Sequence, residues 1–344
     1  MTRLARLTEQ GFIDRIARLA RRAGPARGGL GAVLGIGDDA AVLSPSGRLQ
    51  PLLTTDLLAE GIHFRSAWAP GLLLGRKTLT ASLSDIAAMG GVPCSFVLSV
   101  GFPRRTDPAY ALQLASGVAS QARRFGVDLV GGDTCAARSL FLNVALLGLV
   151  EPGREVRRSG ARSGDGLYVT GRLGASAAGL RLLEAGERLG RMSGARAAAI
   201  RAHLDPEPRV IAGRLLGLTR LAAAMIDLSD GLALDLTRLC AASGAGAVVE
   251  QEAIPVAPQA VAVLGARAAA RAALTGGEDY ELLFTARAEH HGHVRRLARR
   301  MRLPLSRIGQ IVARRRGIVV LTRSGRYHPI GDLGTGFRHF PADA

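Results

Sequence analysis

Short apolar runs of strand length alternate with segments of helical length along most of this 344-residue chain. Residues 94–100 alternate like a half-buried strand, whereas residues 75–89 form a helical segment that ends at Gly90-Gly91. Turn-forming residues interrupt the pattern between 151 and 166, in the stretch EPGREVRRSGARSGDG. The pattern therefore predicts a mixed α/β fold with two domains, residues 1–150 and 151–344.

The basic charge of the chain is carried almost entirely by arginine. The sequence has 45 Lys and Arg against 28 Asp and Glu, a formal net charge of +17, and Lys77 is its single lysine. Basic stretches such as residues 290–302 also carry apolar side chains at helical spacing, so they have one buried face. We therefore expect the arginines to cover solvated surfaces, and we predict no nucleic-acid partner.

The lengths of the apolar stretches and the number of cysteines indicate in which cellular compartment the protein functions. No apolar stretch reaches the roughly 18–20 residues that a membrane helix needs, and MTRLARLTEQ lacks the apolar core of a signal peptide. Cys94, Cys135 and Cys240 are far apart and odd in number, which argues against a disulfide scaffold. We expect a cytoplasmic protein with no membrane partner.

Many acidic residues stand beside glycine, serine or threonine at predicted strand ends and turns. They are Asp38, Asp39, Asp56, Asp85, Asp133, Asp227, Asp230, Glu278 and Asp279. Several carboxylates near apolar strands are costly to bury unless cations compensate them, and Mg²⁺ prefers oxygen ligands. Neighbouring glycines expose backbone N–H groups that bind phosphate oxygens. The pattern therefore predicts a site for Mg²⁺ and the phosphates of a nucleotide.

The common phosphate-binding loops are missing from the sequence. The pattern GxxxxGK[ST] would require glycine at position 76, where Arg76 precedes Lys77, and GIGDDA does not follow GxGxxG. His63 follows Asp56 by seven residues in a predicted loop. That position is compatible with a structural role and with a functional one.

Seven motifs occur in an order and spacing that resemble a known family. They are GIGDDAAVL, TTDLLAEGIHF, SLSDIAAMGGVP, GGDT, RRSGARSGD, IDLSDGLALD and GGEDYELLFT. Together they resemble the thiamine-monophosphate kinase family, in the aminoimidazole-ribonucleotide-synthetase-like superfamily, over residues 10 to 340. The resemblance implies that the N-terminal sheets of two subunits form a shared β-barrel in a homodimer, and that the C-terminal domain is an α/β sandwich. It also implies that ATP and several Mg²⁺ ions convert thiamine monophosphate to thiamine diphosphate.

Roles follow from the resemblance at matching positions. The metal positions are Asp38, Thr54, Thr55, Asp56, Asp85, Asp133, Asp227 and Asp230. The ATP positions are Gly131, Gly132, Arg158 and Ser229. The positions for thiamine monophosphate are His63, Glu278 and Phe337. Because the acceptor is an ionised phosphate that needs no strong general base, we expect direct in-line transfer without a covalent catalytic residue.

Three other functions fit parts of the sequence. An ATP-dependent, ring-closing ligase of the same superfamily would share most of the acidic motifs. A non-catalytic nucleotide-binding protein would share the glycine-rich ones, although it would not need so many acids of metal-binding type. An arginine-rich nucleic-acid binder would explain the net charge, and salt-sensitive retention without ATP binding would identify it.

Overall fold

The computed structural model describes residues 32–34, 36–43 and 48–334. The predicted Phe337 site and a helix that the sequence predicts from Thr8 to Ala23 lie outside these residues. The described strands form two mixed sheets, one in each half of the chain. The predicted mixed α/β class is therefore confirmed. No helix of the described ranges is long and apolar enough to cross a lipid bilayer.

The first sheet has six strands and two accompanying helices. Its elements are β1 (Ala32–Leu34), β2 (Ala41–Leu43), β3 (Gln50–Ala59), α1 (Gly71–Ala88), β4 (Val92–Pro103), α2 (Pro108–Phe125), β5 (Asp128–Ala137) and β6 (Phe141–Val150). The strands lie in the order β1-β2-β3-β6-β4-β5, and β4 pairs with β5 in parallel while the other pairs are antiparallel. Strand β5 is an edge of this sheet, and the sheet does not close on itself.

Helix α1 is largely buried because it packs on both halves of the protein. It meets α2 closely at Gly75, where a Cβ atom would lie 2.1 Å from the carbonyl oxygen of Leu114. Its other end approaches the second half of the chain, since a Cβ on Gly213 would lie 2.0 Å from the carbonyl oxygen of Ala87. The acidic and hydroxyl side chains of α1 are therefore placed where the two halves meet.

The second sheet has seven strands. The elements of this half are β7 (Gly166–Thr170), α3 (Ala175–Glu184), α4 (Gly194–Leu204), α5 (Val210–Leu218), β8 (Ala224–Asp227), α6 (Leu232–Ser243), β9 (Ala245–Glu250), α7 (Pro258–Leu264), α8 (Ala266–Thr275), β10 (Leu282–Ala286), α9 (His291–Met301), β11 (Leu305–Ala313), β12 (Ile318–Leu321) and β13 (Tyr327–Pro329). The strand order is β13-β12-β9-β11-β7-β10-β8, and β9 with β12 is the parallel pair. Edge strand β8 ends at Asp227, so it delivers this acid to the boundary with α1.

Two acids that the sequence places at strand ends or turns lie inside strands. Asp56, with Thr54 and Thr55 before it, lies within β3, because β3 pairs with β6 over ten residues. Likewise, Gly131-Gly132-Asp133 lies within β5, paired with β4, and does not form a turn. Gly132 permits this close pairing, since a Cβ there would lie 1.9 Å from the carbonyl oxygen of Leu98.

Candidate active site

Three carboxylates from distant parts of the chain meet beside helix α1. Asp39 lies between β1 and β2, Asp85 lies on α1, and Asp227 ends β8. One carboxylate oxygen of each residue lies within 4.8 Å of the others. Asp56 of β3 adjoins Asp85, whose pKa is raised by burial first and then by repulsion from the Asp56 carboxylate. We refer to Asp39, Asp56, Asp85 and Asp227 as the acid cluster.

Hydroxyl groups orient the acid cluster. The hydroxyl of Ser82 donates a hydrogen bond of 2.7 Å to Oδ2 of Asp56, and that of Ser84 donates one of 2.7 Å to Oδ2 of Asp227. Thr54 donates to Oδ2 of Asp85. Sequence reasoning did not select either serine, although the motif SLSD contains both. Two serines shortly before an acid in a buried helix were the available signal.

Burial and mutual repulsion make the acid cluster a site for cations. Burial raises the pKa of Asp85 and of Asp227 well above the ordinary value, and neighbouring carboxylates raise it further. Burial is also the main cause of the raised pKa of Asp56. A divalent cation with oxygen ligands would remove this repulsion, and three carboxylate oxygens at this spacing suit Mg²⁺. The residues present therefore fit the metal that the resemblance implies.

The structure separates the two adjacent acids Asp38 and Asp39. The predicted metal position Asp38 is not brought into the acid cluster, since its Oδ2 accepts a 3.0 Å hydrogen bond from the backbone N–H of Arg158. Burial, with Asp39 beside it, raises the pKa of Asp38 to about 6. Asp39, one of the acids in the predicted Mg²⁺ pattern but not a metal position under the resemblance, joins Asp85 and Asp227 instead. No signal in the sequence distinguishes the two acids, because their order in GIGDD does not say which one faces α1.

Arg158 is the cationic partner of the acid cluster. Its Nη2 lies 2.7 Å from Oδ1 of Asp39, and its Nε lies 3.2 Å from Oδ2 of the same carboxylate. A guanidinium in this two-point contact is well suited to carboxylate and phosphate groups. The predicted ATP contact is thus beside the acids that would hold the metal.

The two predicted threonines point in opposite directions. Side chains alternate along a strand, so Thr54 faces the acid cluster and Thr55 faces the other side of the sheet. There the Thr55 hydroxyl donates a 2.9 Å hydrogen bond to the carbonyl oxygen of Val144. The structure therefore brings the hydroxyl of Thr54, and not that of Thr55, to the acid cluster.

The Gly131-Gly132-Asp133 segment lies apart from the acid cluster in this chain. It is on the edge strand β5, and its side chains are exposed. Asp56 on β3 is three strand spacings away, about 14 Å along the sheet. The structure does not bring Asp133 together with the other predicted metal ligands.

A cavity of about 1180 Å³ opens beside the acid cluster. It contains several of the predicted residues of the site, which are Thr55, Asp56, His63, Ser229, Asp230 and Glu278. Positions predicted for metal, ATP and thiamine monophosphate therefore share one cavity, although they come from both halves of the chain. The size suits a ligand of the dimensions of a nucleotide or a drug-like molecule.

Asp230 is held at the cavity wall by helix α6, which begins two residues after it. Arg238 of α6 forms an ion pair with its carboxylate, and Asp235 accepts a 3.1 Å hydrogen bond from the backbone N–H of Asp230. Burial, followed by repulsion from Asp230, raises the pKa of Asp235 to about 7. Asp230 lines the cavity but does not belong to the group formed by Asp39, Asp85 and Asp227.

The Gly276–Tyr280 loop has an unusual backbone. Glu278 and Tyr280 have φ angles of 63° and 49°, a region that costs non-glycine residues on the order of 1–3 kcal/mol each. The loop is held there because Glu278 N–H donates a 2.8 Å hydrogen bond to the carbonyl oxygen of Ser229. A Cβ on Gly277 would lie 2.6 Å from that same oxygen, so glycine is required for the approach.

Glu278 is surrounded by cationic and polar partners. Lys77 of α1 contacts its Oε1 at 2.7 Å, and Nδ1 of His203, from α4, lies 3.3 Å from its Oε2. We refer to these three residues as the Glu278 pocket. Sequence reasoning missed Lys77 and His203 as parts of the site, because both lie in helices far along the chain from Glu278.

Two family models match the chain, one on each half. The model for AIR synthase related protein, N-terminal domain, matches residues 37–150, and that for the C-terminal domain of the same proteins matches residues 162–322. Together these matches cover most of the chain, so the protein is a member of the AIR synthase related proteins. Its two mixed sheets and the cavity lined by both halves are the structural features of this member.

Similarity to individual proteins narrows this class. The thiamine-monophosphate kinase of Escherichia coli strain K12 is 36% identical over 332 residues, 96% of this chain and 98% of the relative. The thiamine-monophosphate kinase structure from Stenotrophomonas maltophilia K279a has a TM-score of 0.76 and 36% identity, over 94% of this chain and 98% of that one. A structure described as AaThiL complexed with AMPPCP and TMP has a TM-score of 0.83 and 30% identity, over 99% of both chains. The chain belongs to the thiamine-monophosphate kinase family.

Proposed function

We propose that this protein transfers the γ-phosphoryl group of ATP to thiamine monophosphate and forms thiamine diphosphate and ADP. The observation that carries the proposal is the match over 99% of both chains to a structure described as containing AMPPCP and TMP. The cavity supports it, since its lining includes Asp56, Ser229 and Glu278, which are predicted positions for metal, nucleotide and acceptor in turn. The relatives reported above are kinases, which disfavours the ring-closing ligase of the sequence analysis.

The acid cluster is the proposed holder of Mg²⁺. Asp39, Asp85 and Asp227 would supply the ligands, with Asp56 next to them on the cavity wall. Mg²⁺ held by these carboxylates would supply the positive charge that two anionic phosphates need to approach each other. The serine and threonine hydroxyls that bind these acids hold the carboxylates in place, so less reorganisation is needed when a cation binds.

The acceptor is proposed to bind on the side of the cavity that carries His63 and Glu278. Thiamine contains a cationic thiazolium ring, and an ionised carboxylate attracts such a ring. Lys77 is the main reason that the pKa of Glu278 is lowered in spite of burial. Phe337 is the proposed aromatic partner of the ring.

Direct in-line transfer is the proposed mechanism. The bond between the β- and γ-phosphates of ATP breaks as a new bond forms between the γ-phosphorus and a phosphate oxygen of the acceptor. The acceptor oxygen is already ionised, so no side chain has to remove a proton. Arg158, beside the acid cluster, is the proposed partner of the transferring phosphate.

A homodimer with a barrel shared between two N-terminal sheets is the proposed assembly. Strand β5 is an exposed edge, and Leu129 and Val130 on it are 50% and 65% exposed. An exposed apolar edge strand is prone to pair with another chain. The domain of residues 1–150 would supply this interface. Sedimentation at micromolar concentration tests the proposal, and a monomer would contradict it.

A purified-protein assay with ATP, Mg²⁺ and thiamine monophosphate tests the function. We expect ADP and thiamine diphosphate in equal amounts, and intersecting lines in double-reciprocal plots because both substrates are bound at once. With γ-labelled ATP and no acceptor, the protein should remain unlabelled. Absence of thiamine diphosphate would refute the function, and a labelled protein that passes its label to the acceptor would refute the mechanism.

A further inference from the structure

The only lysine of the chain is buried. Lys77 lies on helix α1 and is 2% exposed. All the other residues in the count of 45 Lys and Arg are arginine. Removing an ammonium group from water costs several kcal/mol unless an oppositely charged, hydrogen-bonded partner compensates it. The position of Lys77 therefore requires an explanation that general surface composition does not provide.

That explanation is Glu278. Lys77 Nζ lies 2.7 Å from Oε1 of Glu278, while Nδ1 of His203 lies 3.3 Å from Oε2. Each carboxylate oxygen thus has a separate partner, and the partners come from α1 and α4. With the constrained backbone of Glu278 at φ 63°, these contacts leave the carboxylate little freedom to turn.

Lys77 supplies the positive charge of the Glu278 pocket. Burial by itself raises the pKa of Glu278, and Lys77 is the largest influence that lowers it, followed by His203 and His63. His203 is neutral at physiological pH, because burial and then Lys77 lower its pKa to about 3. His203 therefore contributes a polar contact, whereas the ionised state of Glu278 depends on Lys77.

Lys77 also lies behind the cavity and does not line it. Glu278, His203 and His63 are wall residues, whereas Lys77 is buried on α1 and is not a lining residue. A ligand in the cavity would touch the carboxylate but not the ammonium group. Lys77 is therefore connected to the acceptor by contact only through Glu278.

We propose that Lys77 is a positioning residue that keeps the Glu278 carboxylate ionised and directed into the cavity, and that it thereby makes the acceptor site prefer a cationic ring to a neutral ring of the same shape. The inference rests on the proposed function, in which Glu278 receives the acceptor. It adds a residue that determines specificity, although it does not contact the substrate.

Binding measurements with two ligands test this role. One ligand is thiamine monophosphate, and the other is its uncharged isostere, in which a thiophene ring replaces the thiazolium. By calorimetry, we expect the wild-type protein to prefer the cationic ligand by about tenfold or more, and Lys77→Met to reduce that preference to about threefold or less. Thr78→Val, at a neighbouring buried position that faces elsewhere, is the matched control and should retain the preference.

Steady-state kinetics separate positioning from a structural role. Lys77→Met should raise KM for thiamine monophosphate by about tenfold while KM for ATP changes by less than about threefold. If Lys77 acts through Glu278, the double variant Lys77→Met/Glu278→Gln should resemble Glu278→Gln alone. Should Lys77→Met fail to fold, Lys77→Gln, which keeps a hydrogen-bond donor without the charge, is measured in its place and is expected to show the same losses.

The outcomes distinguish this inference from the proposed function. If the wild-type protein binds neither ligand, the proposed function is wrong. If the wild-type protein binds thiamine monophosphate and the isostere equally well, the proposed role of Lys77 is wrong. It is also wrong if Lys77→Met or Lys77→Gln keeps the wild-type preference for the cationic ligand. Equal increases of both KM values, or additive effects in the double variant, would also overturn it and would show a structural lysine.

Discussion

Asp56 of the acid cluster and Glu278 and His203 of the Glu278 pocket line the same cavity, yet the pKa values of the buried carboxylates in the two groups are shifted in opposite directions. In the acid cluster, four carboxylates are accompanied by Arg158, which pairs with Asp39, and the pKa values of Asp56, Asp85 and Asp227 are raised. In the Glu278 pocket, one carboxylate has a lysine on one oxygen and a histidine on the other, and its pKa is lowered.

This difference indicates what each region is built to bind. The acid cluster retains unbalanced negative charge, so it gains most from a cation that arrives from solution. The Glu278 pocket is balanced by its own chain, so it holds one carboxylate in a defined state and orientation. We infer that the first region binds metal with the phosphates and that the second recognises the organic part of the acceptor.

The largest expected effect comes from neutralising the acid cluster. Asp56→Asn, Asp85→Asn and Asp227→Asn each remove a charge at constant size, and each should lower kcat by about 1000-fold because metal-assisted charge stabilisation is lost. Thermal stability in EDTA should be unchanged or higher, since a buried repulsion is removed. Glu207→Gln, at an exposed ion pair with Arg124, is the control and should keep normal turnover. Near-normal rates for all three variants would exclude a metal role for these acids.

Replacing Asp39 should lower kcat more than replacing Asp38 does. Asp39→Asn should lower kcat by about 100-fold, because this carboxylate faces Asp85 and Asp227. Asp38→Asn should cost about fivefold or less, since an amide oxygen can still accept from the backbone N–H of Arg158. The turnover of both variants is measured as a function of Mg²⁺ concentration. Equal losses would mean that the structure does not identify the ligand in this pair.

Changes at the acceptor side should affect one substrate. Glu278→Gln and His63→Ala should raise KM for thiamine monophosphate by about tenfold and leave KM for ATP nearly constant, because both residues line the cavity and are the proposed contacts of the acceptor. Initial-rate kinetics with each substrate varied in turn provide the measurement. If these variants raised only KM for ATP, the Glu278 pocket would serve the nucleotide and not the acceptor.

The smallest effect concerns stability and pH in the Glu278 pocket. His203 has its pKa lowered to about 3 in the folded protein, from an ordinary value of 6.5, so the unfolded chain binds more protons between these values. The contribution to stability is therefore present above pH 6.5 and is lost as pH falls below it, by at most about 1.4 kcal/mol per pH unit. His203→Gln should show a shallower fall in the free energy of unfolding between pH 6.5 and 5 than the wild type, measured by denaturant titration. Parallel curves would show that His203 is not buried in its neutral form.

The sequence by itself determined the mixed α/β class and the residue types of the site. It predicted a helix through Asp85 that ends at Gly90-Gly91, because apolar spacing and glycine pairs are local signals. It also indicated that acids beside glycine and serine belong to a metal and phosphate site, because the cost of burying carboxylates does not depend on which fold buries them.

The tertiary structure decided which residues meet. It selected Asp39 over Asp38, turned Thr54 toward the acid cluster and Thr55 away from it, and placed Asp133 on an exposed edge strand. It also brought Lys77 against Glu278, about 200 residues further along the chain. Such contacts depend on strand register and helix packing, which are set by long-range pairing, whereas motifs record only neighbours along the chain.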